Sequence, residues 1–342
     1  KAKKYNVPIL YVNQVGAQTE LVFDGGSVFI DATGEIVKEL NYFTEDFLVV
    51  DTRSPGKKQL QPTTGNTEKI HDALVLGIRD YFQKSGFSQA TLGLSGGIDS
   101  AVTVVLAVRA LGAENVRVLL LPSRYSSDHS LDDAKKLAEN LQIRYDIIPI
   151  QSAVEEFEKG LAPLFEGTSP GVTEENIQAR ARGIYLMAVS NKFGHILLNT
   201  TNKSECAVGY GTLYGDMNGG LAVLGDVYKM DVYRLARFMN RDREIIPENS
   251  ITKPPSAELR PNQKDSDSLP EYDELDQILF QFIEMNKSPK EIMEMGFRED
   301  VVNRVIRLVN MNEYKRFQAA PILRISSKAF GFGRKMPLVA KY

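Results

Sequence analysis

The residues best suited to chemistry are those of Ser95-Gly-Gly-Ile-Asp-Ser100, which lie between an apolar strand-like stretch and an apolar helix-like one. The two adjacent glycines allow a tight backbone bend and leave room for a ligand. Backbone N–H groups at a helix start, together with two serine hydroxyls, suit an anion such as a phosphate. Asp99 would repel a phosphate unless a divalent cation, held by oxygen ligands, lay between them. The turn therefore predicts a phosphate site with a bound cation.

This turn matches neither of the common nucleotide loops. It lacks the Gly-Lys-Ser/Thr ending of a Walker A loop, and Gly93, Gly96 and Gly97 do not have the G-x-G-x-x-G spacing. Its Ser-Gly-Gly-x-Asp-Ser order after a strand instead resembles the signature of the ATP pyrophosphatases, which cleave ATP between the α and β phosphates. The alternative is an ordinary glycine-containing turn without a ligand. The flanking strand and helix favour the nucleotide site.

A second cluster, Asn199-Thr-Thr-Asn-Lys-Ser-Glu205, follows another apolar strand and precedes a helix-like segment. Glu205 could share a cation with Asp99, so that two strand ends each supply a carboxylate. A carboxylate at a helix start is also favoured by the helix dipole alone. Beside a phosphate turn that carries Asp99, we favour the metal site.

Other polar residues have a structural explanation as well as a functional one. Asn176 and Arg180 lie four residues apart on one face of a predicted helix, which could be a surface ion-pair face or could grip a dinucleotide. Arg182 lies on a different side of that helix. The tyrosines of Tyr210-Gly-Thr-Leu-Tyr-Gly-Asp216 could stack on a flat base or pack within a tight loop.

The remaining reactive residue types give weaker signals. The single cysteine, Cys206, is interpreted as a small buried hydrophobe because no base lies near it in the sequence. The three histidines lack the spacing of a metal site, and each is interpreted as structural. The basic residues near the C-terminus could be solvated or could close over a phosphate. The histidines are His71, His129 and His195, and the basic C-terminal residues are Lys328, Arg334 and Lys335.

Length and composition limit the class of protein. The 342 residues suffice for about two domains, and 43% hydrophobic with 25% charged residues is typical of a soluble globular protein. A net charge of −3 argues against a nucleic-acid partner bound by bulk charge. One cysteine fits a reducing compartment, and no apolar run is long enough to span a membrane. We therefore expect a cytoplasmic protein without nucleic-acid or membrane partners.

Strands and helices alternate between residues 90 and 199, and this alternation predicts a parallel sheet with helices on both faces. Ligands of such sheets bind at the carboxyl ends of the strands, so the turns that follow the strands should meet at one edge. The predicted strands are Ala90–Leu94, Val116–Leu121, Tyr145–Ile150 and His195–Asn199, and the predicted helices are Ser100–Leu111, Leu131–Leu141, Ala153–Lys159 and Thr173–Phe193.

Different patterns flank this alternation. Short strands and then a polar linker are predicted before it, and helices are predicted after residue 231. A polar stretch at 254–270 is predicted to be a mobile loop. The short strands are Pro8–Val12, Leu21–Phe23, Ser27–Ile30, Ile36–Leu40 and Phe47–Asp51, and the later helices are Val232–Met239, Tyr272–Glu284, Pro289–Glu294 and Asp300–Tyr314.

Several motifs, in this order, resemble those of the NAD+ synthetases. Together they are more specific than the first turn alone, and the resemblance spans residues 67–337. It implies a Rossmann-like α/β fold of the ATP pyrophosphatase type and an amide-forming carbon–nitrogen ligase that works as a homo-oligomer. The motifs are Gly93–Ser100, Glu175–Gly183, Asn199–Glu205, Leu224–Lys229 and Pro254–Leu259.

The opening segment, Tyr11–Gly16 with Glu20–Gly26, resembles the end of the nitrilase-like glutaminase domain of the glutamine-dependent enzymes. This resemblance implies three parts: 1–52 as a β-rich C-terminal remnant of that α/β domain, 53–66 as a linker, and 67–342 as the synthetase domain. The Glu–Lys–Cys triad of the family's glutaminase would lie before residue 1. Cys206 falls within the synthetase part, so it cannot be that nucleophile.

By the same resemblance, the substrates are deamido-NAD, ATP and ammonia, which comes from glutamine in the full-length enzyme. The nicotinate carboxylate would attack the α-phosphate of ATP and release pyrophosphate, and ammonia would then displace AMP to give NAD. Asp99 and Glu205 would hold Mg²⁺. Lys229 would act in catalysis as a mobile cation that offsets phosphate charge.

The resemblance also implies which residues bind each substrate. Leu213 departs from the short ammonia-dependent enzymes, which carry a lysine near this position. The ATP residues would be Gly93, Leu94, Ser95, Gly96, Gly97, Ile98, Asp99, Ser100, Thr200, Lys229 and Ser256. The deamido-NAD residues, partly across a dimer interface, would be Asn176, Arg180, Glu205, Tyr210, Gly211, Thr212, Leu213 and Asp216, with Lys328 or Lys335.

Two other functions stay open at this point. One is a different pyrophosphatase-loop amidotransferase, acting on a purine nucleotide, which the Asn-Lys-Ser-Glu and Pro-Pro-Ser-Ala-Glu-Leu segments disfavour. The other is a non-catalytic nucleotide-binding module, which would have less need of two metal carboxylates such as Asp99 and Glu205.

Overall fold

One helical turn and several short strands make up the N-terminal segment. The structure, a computed structural model, describes residues 1–261 and 263–339. The elements of this segment are α1 (Ala2–Tyr5), β1 (Ile9–Tyr11), β2 (Val15–Gln18), β3 (Leu21–Asp24), β4 (Val28–Ile30) and β5 (Ile36–Glu39). Strands β1, β4 and β5 form an antiparallel sheet in that order, and β2 pairs with β3 as an antiparallel hairpin.

One predicted strand of this segment is wrong. Phe47–Asp51 forms neither strand nor helix, and Phe47 and Val49 are 84% and 79% exposed. An apolar run becomes a strand only where a sheet edge satisfies its backbone groups, and within the described residues none pairs with this one. Conversely, the sequence pattern does not reveal β2, because Gly16 and Ala17 give it no apolar alternation.

The β2–β3 hairpin packs on the next helix, α2 (Asn66–Ser85). Asp80 Oδ2 accepts a hydrogen bond from Ala17 N at 2.7 Å, and Lys84 Nζ donates to Ala17 O at 2.6 Å. From the far end of the chain, Arg324 N donates to Glu20 O at 2.8 Å. These contacts give the short strands the support that they would lack alone.

A parallel sheet follows, with the helices that connect its strands. The elements are β6 (Ala90–Gly93), α3 (Ile98–Leu111), β7 (Val116–Leu120), α4 (Asp128–Asn140), β8 (Arg144–Ile147), α5 (Gln151–Leu161), α6 (Val172–Phe193), β9 (Ile196–Asn199), α7 (Lys203–Val208) and β10 (Leu221–Ala222). Short 3₁₀ turns lie at Ala113–Asn115 and Ala162–Leu164. In the described chain the strand order is β10-β9-β6-β7-β8, and all of these pairs are parallel.

After β10 the chain is mainly helical. The elements are α8 (Lys229–Met239), α9 (Glu248–Thr252), a 3₁₀ turn (Asp265–Asp267), α10 (Tyr272–Ile283), α11 (Pro289–Met293), α12 (Glu299–Met311) and α13 (Glu313–Arg316). The predicted helix Asp300–Tyr314 is divided at Asn312, whose Nδ2 donates to Val208 O at 2.9 Å. Residue 262 of the predicted loop 254–270, and residues 340–342 of the predicted synthetase domain, lie outside the described residues.

Helices cover both faces of the parallel sheet, which confirms the predicted α/β class. On one face α2, α3, α4 and α8 share a core in which Leu106 and Val232 are fully buried. On the other face α5 and α6 pack Val154 and Ala181 against Leu119. A further cluster joins α7 to α10 and α12. Within the described ranges, no helix has both the length and the apolar character needed to cross a membrane.

Replacing Asp80 with Ala should lower the free energy of unfolding by about 1–3 kcal/mol, because the buried Ala17 N–H loses its acceptor. Urea denaturation followed by circular dichroism measures the change. Glu68→Ala is the matched control, since its exposed ion pair with Arg241 should contribute less than about 1 kcal/mol. An equal loss in both variants would contradict the role of Asp80.

Candidate functional site

The turn between β6 and α3 is closed by its own hydroxyl groups. Ser95 N donates to Ser100 Oγ at 3.2 Å, Gly97 N donates to Ser95 Oγ at 3.2 Å, and Ser100 Oγ donates to Gly97 O at 3.0 Å. Gly96 has a φ of +79°, and a Cβ there would lie 2.2 Å from Ser130 O. Both the backbone conformation and the contact with α4 therefore require glycine at this bend.

Asn202 joins the second carboxylate cluster to this turn. At the start of α7, Asn202 Oδ1 accepts from Glu205 N at 3.0 Å, and Asn202 N donates to Glu205 Oε2 at 3.2 Å. This reciprocal cap fixes the first turn of the helix. Asn202 Nδ2 also donates to Asp99 Oδ1 at 2.9 Å. The structure thus brings Asp99 and Glu205 to one place, beyond the neighbouring strands β6 and β9.

Lys229, the first residue of α8, lies between the two carboxylates. Its Nζ is 2.5 Å from Asp99 Oδ2 and 3.4 Å from Glu205 Oε1, and only 2% of its side chain is exposed. The ammonium also lies 5.0 Å from the centre of the Tyr272 ring, within the range of a cation–π interaction. Two acidic side chains and one lysine ammonium therefore meet in a site that is largely shielded from water.

Burial and charge shift the pKa values of these groups. Burial raises the pKa of Glu205 to about 8; the nearby Asp99 adds to the rise and Lys229 opposes it. Burial alone would lower the pKa of Lys229, but the charges of Asp99 and Glu205 raise it above its usual range. One ammonium thus does not fully compensate two buried carboxylates, and the site favours a further positive charge.

These side chains line a cleft of about 310 Å³ at the carboxyl ends of β6, β7 and β9. Such an edge is where open α/β sheets bind ligands. The predicted ATP residues that line the cleft are Gly93, Leu94, Ser95, Gly97, Ile98, Asp99, Ser100, Thr200, Lys229 and Ser256. Gly96, the other member of that group, packs against Ser130.

The residues predicted for deamido-NAD lie in three places. Those that line the cleft are Glu205, Tyr210 and Asp216, and those that flank it are Asn176, Arg180, Gly211, Thr212 and Leu213. The flanking group is held by short contacts, since Thr212 N donates to Asp216 Oδ1 and Thr212 Oγ1 donates to Asn176 Oδ1, both at 2.6 Å. Arg180 Nε donates to Leu213 O at 3.3 Å, so the residue that departs from the lysine of the short enzymes contacts Arg180 through its backbone.

The third place is a separate pocket of about 460 Å³ that Lys328 and Lys335 line. Lys328 Nζ donates to Asn286 Oδ1 at 2.5 Å, and Lys335 Nζ lies 4.4 Å from the centre of the Phe332 ring. The structure does not bring either lysine to the cleft of the same chain.

Asp265 is a cleft residue that sequence reasoning missed. It is 4% exposed and accepts hydrogen bonds from Tyr210 Oη at 3.0 Å and Tyr272 Oη at 2.9 Å. It lies in the stretch predicted to be a mobile polar loop, and its neighbours have no periodic pattern. The sequence therefore offers no signal that this carboxylate is buried beside Glu205 and Lys229.

Lys253 and Glu258, on the loop after α9, were also missed as cleft residues. Glu258 Oε1 accepts from Ser130 Oγ at 2.6 Å and from Ser127 Oγ at 2.9 Å. Lys253 Nζ donates to Ser130 Oγ at 2.9 Å. These bonds tie the segment that carries Ser256 to the start of α4.

The motifs and the fold match those of known proteins. The NAD synthase family profile matches residues 70–319. The chain belongs to the NAD synthase family. The glutamine-dependent NAD(+) synthetase of Synechocystis sp. is 50% identical over 346 residues, which cover 100% of this chain and 62% of the relative. The glutamine-dependent NAD(+) synthetase of Thermotoga maritima is 45% identical over 380 residues, which cover 100% of this chain and 66% of the relative.

The chain spans less than two thirds of the length of both of these family relatives. Among solved structures, the glutamine-dependent NAD+ synthetase from Acinetobacter baumannii in complex with adenosine diphosphate is 44% identical, with a TM-score of 0.72 over 99% of this chain and 63% of that one. The NMN synthetase from Francisella tularensis is 29% identical, with a TM-score of 0.63 over 73% of this chain and 95% of that one. The family's Rossmann-like fold is therefore shared by this chain.

Replacing Gly96 with Ala should lower the free energy of unfolding by about 1–3 kcal/mol, because the methyl group meets Ser130 O in a strained backbone conformation. Gly97→Ala is the matched control: its φ of −79° is ordinary, and its Cβ would meet Ser95 Oγ at 3.2 Å. It should cost less than about 1 kcal/mol. Guanidinium titrations that find the two variants equally stable would show that contact with α4 does not require the glycine.

Proposed function

We propose that this chain catalyses the ATP-dependent amidation of deamido-NAD, which gives NAD, AMP and pyrophosphate. The observation that carries the proposal is the meeting of Asp99, Glu205 and Lys229 in one cleft beside the serine–glycine turn. Opposite charges in a shielded cleft suit a reaction that brings two polyanions together. Membership of the NAD synthase family supports the same chemistry.

In the first step the serine–glycine turn holds the phosphates of ATP with backbone N–H groups at the start of α3. A carboxylate oxygen of the nicotinate ring attacks the α-phosphorus, and the bond to the β-phosphate oxygen breaks to release pyrophosphate. Lys229 offsets charge on the phosphates, since its ammonium contacts Asp99 of the turn. The product of this step is a mixed anhydride with AMP.

Asp99 and Glu205 would hold Mg²⁺. Both carboxylates already contact one ammonium, so they are close enough to share one cation. Among the residues that the structure describes, no group of three or more His, Cys, Asp or Glu side chains is arranged to hold a metal ion. Phosphate and water oxygens would therefore complete the coordination, and the bound metal would supply charge neutralisation at the phosphates.

In the second step the nitrogen of ammonia attacks the activated carbonyl carbon, AMP leaves, and a proton is lost to give the amide. We assign deamido-NAD to the side of the cleft formed by Tyr210–Asp216, with Asn176 and Arg180 beside it. Lys328 and Lys335 would contact this substrate only from another subunit, because within one chain they line a different pocket. A homo-oligomer is therefore part of the proposal.

The division of the chain into 1–52, 53–66 and 67–342 also stays a proposal, with the first part as the end of a nitrilase-like glutaminase domain. Full-length relatives of this kind are named glutamine-dependent, which supports glutamine as the source of ammonia in the whole protein. Cytoplasmic location stays a prediction, supported by the single buried cysteine.

The alternatives differ in the acceptor. A different amidotransferase would use a purine nucleotide as its acceptor, and a non-catalytic module would use no acceptor. The NMN synthetase among the similar structures suggests nicotinate mononucleotide as a third possibility. The glutamine-dependent NAD synthetases of Synechocystis sp. and Acinetobacter baumannii are 50% and 44% identical to this chain, whereas the NMN synthetase is 29% identical. Deamido-NAD is therefore the preferred acceptor.

Exchange of labelled pyrophosphate into ATP should require deamido-NAD, because the first step is reversible only when its acceptor is present. Xanthosine monophosphate and nicotinate mononucleotide are tested in parallel as acceptors. Exchange driven by either of them would replace the proposed substrate. Exchange with none of the three would favour a non-catalytic module.

Asp99→Asn should lower the exchange rate by about 100-fold or more, since it removes charge from the cation site while the side chain keeps its shape. Asp231→Asn is the matched control, because Asp231 lies in the first turn of the same helix as Lys229 but pairs with the exposed Arg234. Circular dichroism establishes that both variants are folded. A rate for Asp99→Asn within twofold of that of the control would argue against the metal assignment.

The 342-residue chain should form NAD with ammonium chloride and not with glutamine. Its one cysteine, Cys206, is 5% exposed, and burial raises the pKa of its thiol to about 12, so no reactive thiolate is present to hydrolyse glutamine. NAD formation is measured with each nitrogen donor in turn. Activity with glutamine as the sole donor would show that the chain has a glutaminase centre of another kind.

A further inference from the structure

Arg182 is a cation of the cleft that the proposed mechanism does not use. It lies on α6 and lines the cleft together with Lys229 and Lys253. The two lysines are paired with acids, Lys229 with Asp99 at 2.5 Å and Lys253 with Asp133 at 3.6 Å. Within residues 1–261 and 263–339, no carboxylate lies within 4.0 Å of the Arg182 guanidinium.

One hydrogen bond sets the orientation of this guanidinium. Its Nε donates to Leu121 O at 3.0 Å, just beyond the end of β7. In the described part of the chain, its terminal N–H groups donate to no protein acceptor. A planar guanidinium fixed through Nε presents its two terminal nitrogens as a fork, which matches the oxygens of a phosphate or a carboxylate.

The position of Arg182 lies between the regions proposed for the two substrates. Leu186, one turn further along α6, lies 3.5 Å from where a Cβ on Gly93 would be, at the end of β6 that leads into the serine–glycine turn. Gly183 directly follows Arg182, and a Cβ added to it would lie 3.0 Å from Tyr214 O in the loop proposed for deamido-NAD. This stretch of α6 is therefore packed against both substrate regions.

The electrostatic setting supports a ligand at this place. Burial lowers the pKa of Arg182, and the charges of Asp216 and Glu258 only partly oppose that effect from a distance. A partly buried cation without an ion-pair partner is stabilised when an anion arrives. Arg180, two residues earlier, is exposed and bonds the flanking loop, so the two arginines of this motif have different surroundings.

We propose that Arg182 is an anion-binding residue of the cleft, which receives a phosphate or carboxylate oxygen of a substrate through its terminal guanidinium nitrogens. The identity of the substrates rests on the proposed function, but the anion-binding role does not. The competing explanation is that Arg182 only fastens α6 to the end of β7 through Leu121 O.

Isothermal titration calorimetry with Mg²⁺ present tests this on the whole chain, with α,β-methylene-ATP and deamido-NAD titrated separately. Arg182→Gln should weaken the binding of at least one of them tenfold or more. Arg182→Lys keeps the charge without the fork, so it should recover part of that loss. Arg109→Gln is the matched control: Arg109 likewise contacts a buried group of the protein, His71 Nε2, but it does not line the cleft. It should leave both affinities within twofold.

The pattern of losses identifies the anion. A loss for the ATP analogue alone assigns Arg182 to a phosphate of ATP, a loss for deamido-NAD alone assigns it to that substrate, and a loss for both places it between them. Unchanged affinities in Arg182→Gln, or a drop in melting temperature without a change in affinity, would overturn the proposal. Should pyrophosphate exchange fail with deamido-NAD while analogue binding still depends on Arg182, the proposed function falls and the anion-binding role stands.

Discussion

The site depends on the contact of Lys229 with Asp99 and Glu205, three charged groups drawn from distant parts of the chain. Each would be costly to bury alone, and together they favour one further positive charge, because burial and the nearby Asp99 raise the pKa of Glu205 to about 8. In the proposed function, a metal ion supplies that charge in place of the proton on Glu205.

Helix α7 carries this arrangement because its first turn is anchored on several sides. Asn202 caps the helix and reaches Asp99, while Ser204 Oγ donates to Asp276 Oδ1 at 2.5 Å and accepts from Lys229 N at 2.9 Å. Successive residues at the start of α7 thus contact both Asp99 of the serine–glycine turn and the start of α8. A shift of α7 would move Glu205 and Lys229 together, which preserves their spacing.

Lys203 anchors the same turn to the C-terminal segment. Its fully buried Nζ lies 2.8 Å from Asp226 Oδ1 and 2.9 Å from Glu284 Oε1, and it donates to Ser326 Oγ at 2.8 Å. The lysine of the Asn-Lys-Ser-Glu motif therefore has a structural role, whereas the glutamate two residues later faces the cleft. One short motif serves both the packing of the fold and the chemistry of the site.

The sequence predicted those parts of the fold and the site that local pattern controls. The alternation of strands and helices, the glycine bend between β6 and α3 and the convergence of Asp99 with Glu205 follow from period, glycine placement and strand order. Phe47–Asp51 was predicted wrongly because a strand depends on an edge to pair with, which is not a local property. Asp265 was missed for a similar reason, because its burial depends on two tyrosines outside its own segment. Tyr210 is distant in sequence, and Tyr272 lies on the next helix, α10.

Ser130 shows why the loop after α9 and the serine–glycine turn cannot be considered separately. Its backbone oxygen excludes any side chain at Gly96, while its hydroxyl contacts both Glu258 and Lys253. Glu258 has a φ of +49°, a conformation that a non-glycine residue keeps only where its surroundings hold it. Because the loop that carries Ser256 and the glycine bend meet on one residue, a displacement of either is transmitted to the other through the start of α4. The shape of the serine–glycine turn is thus set by a loop distant in sequence as well as by the motif that defines it.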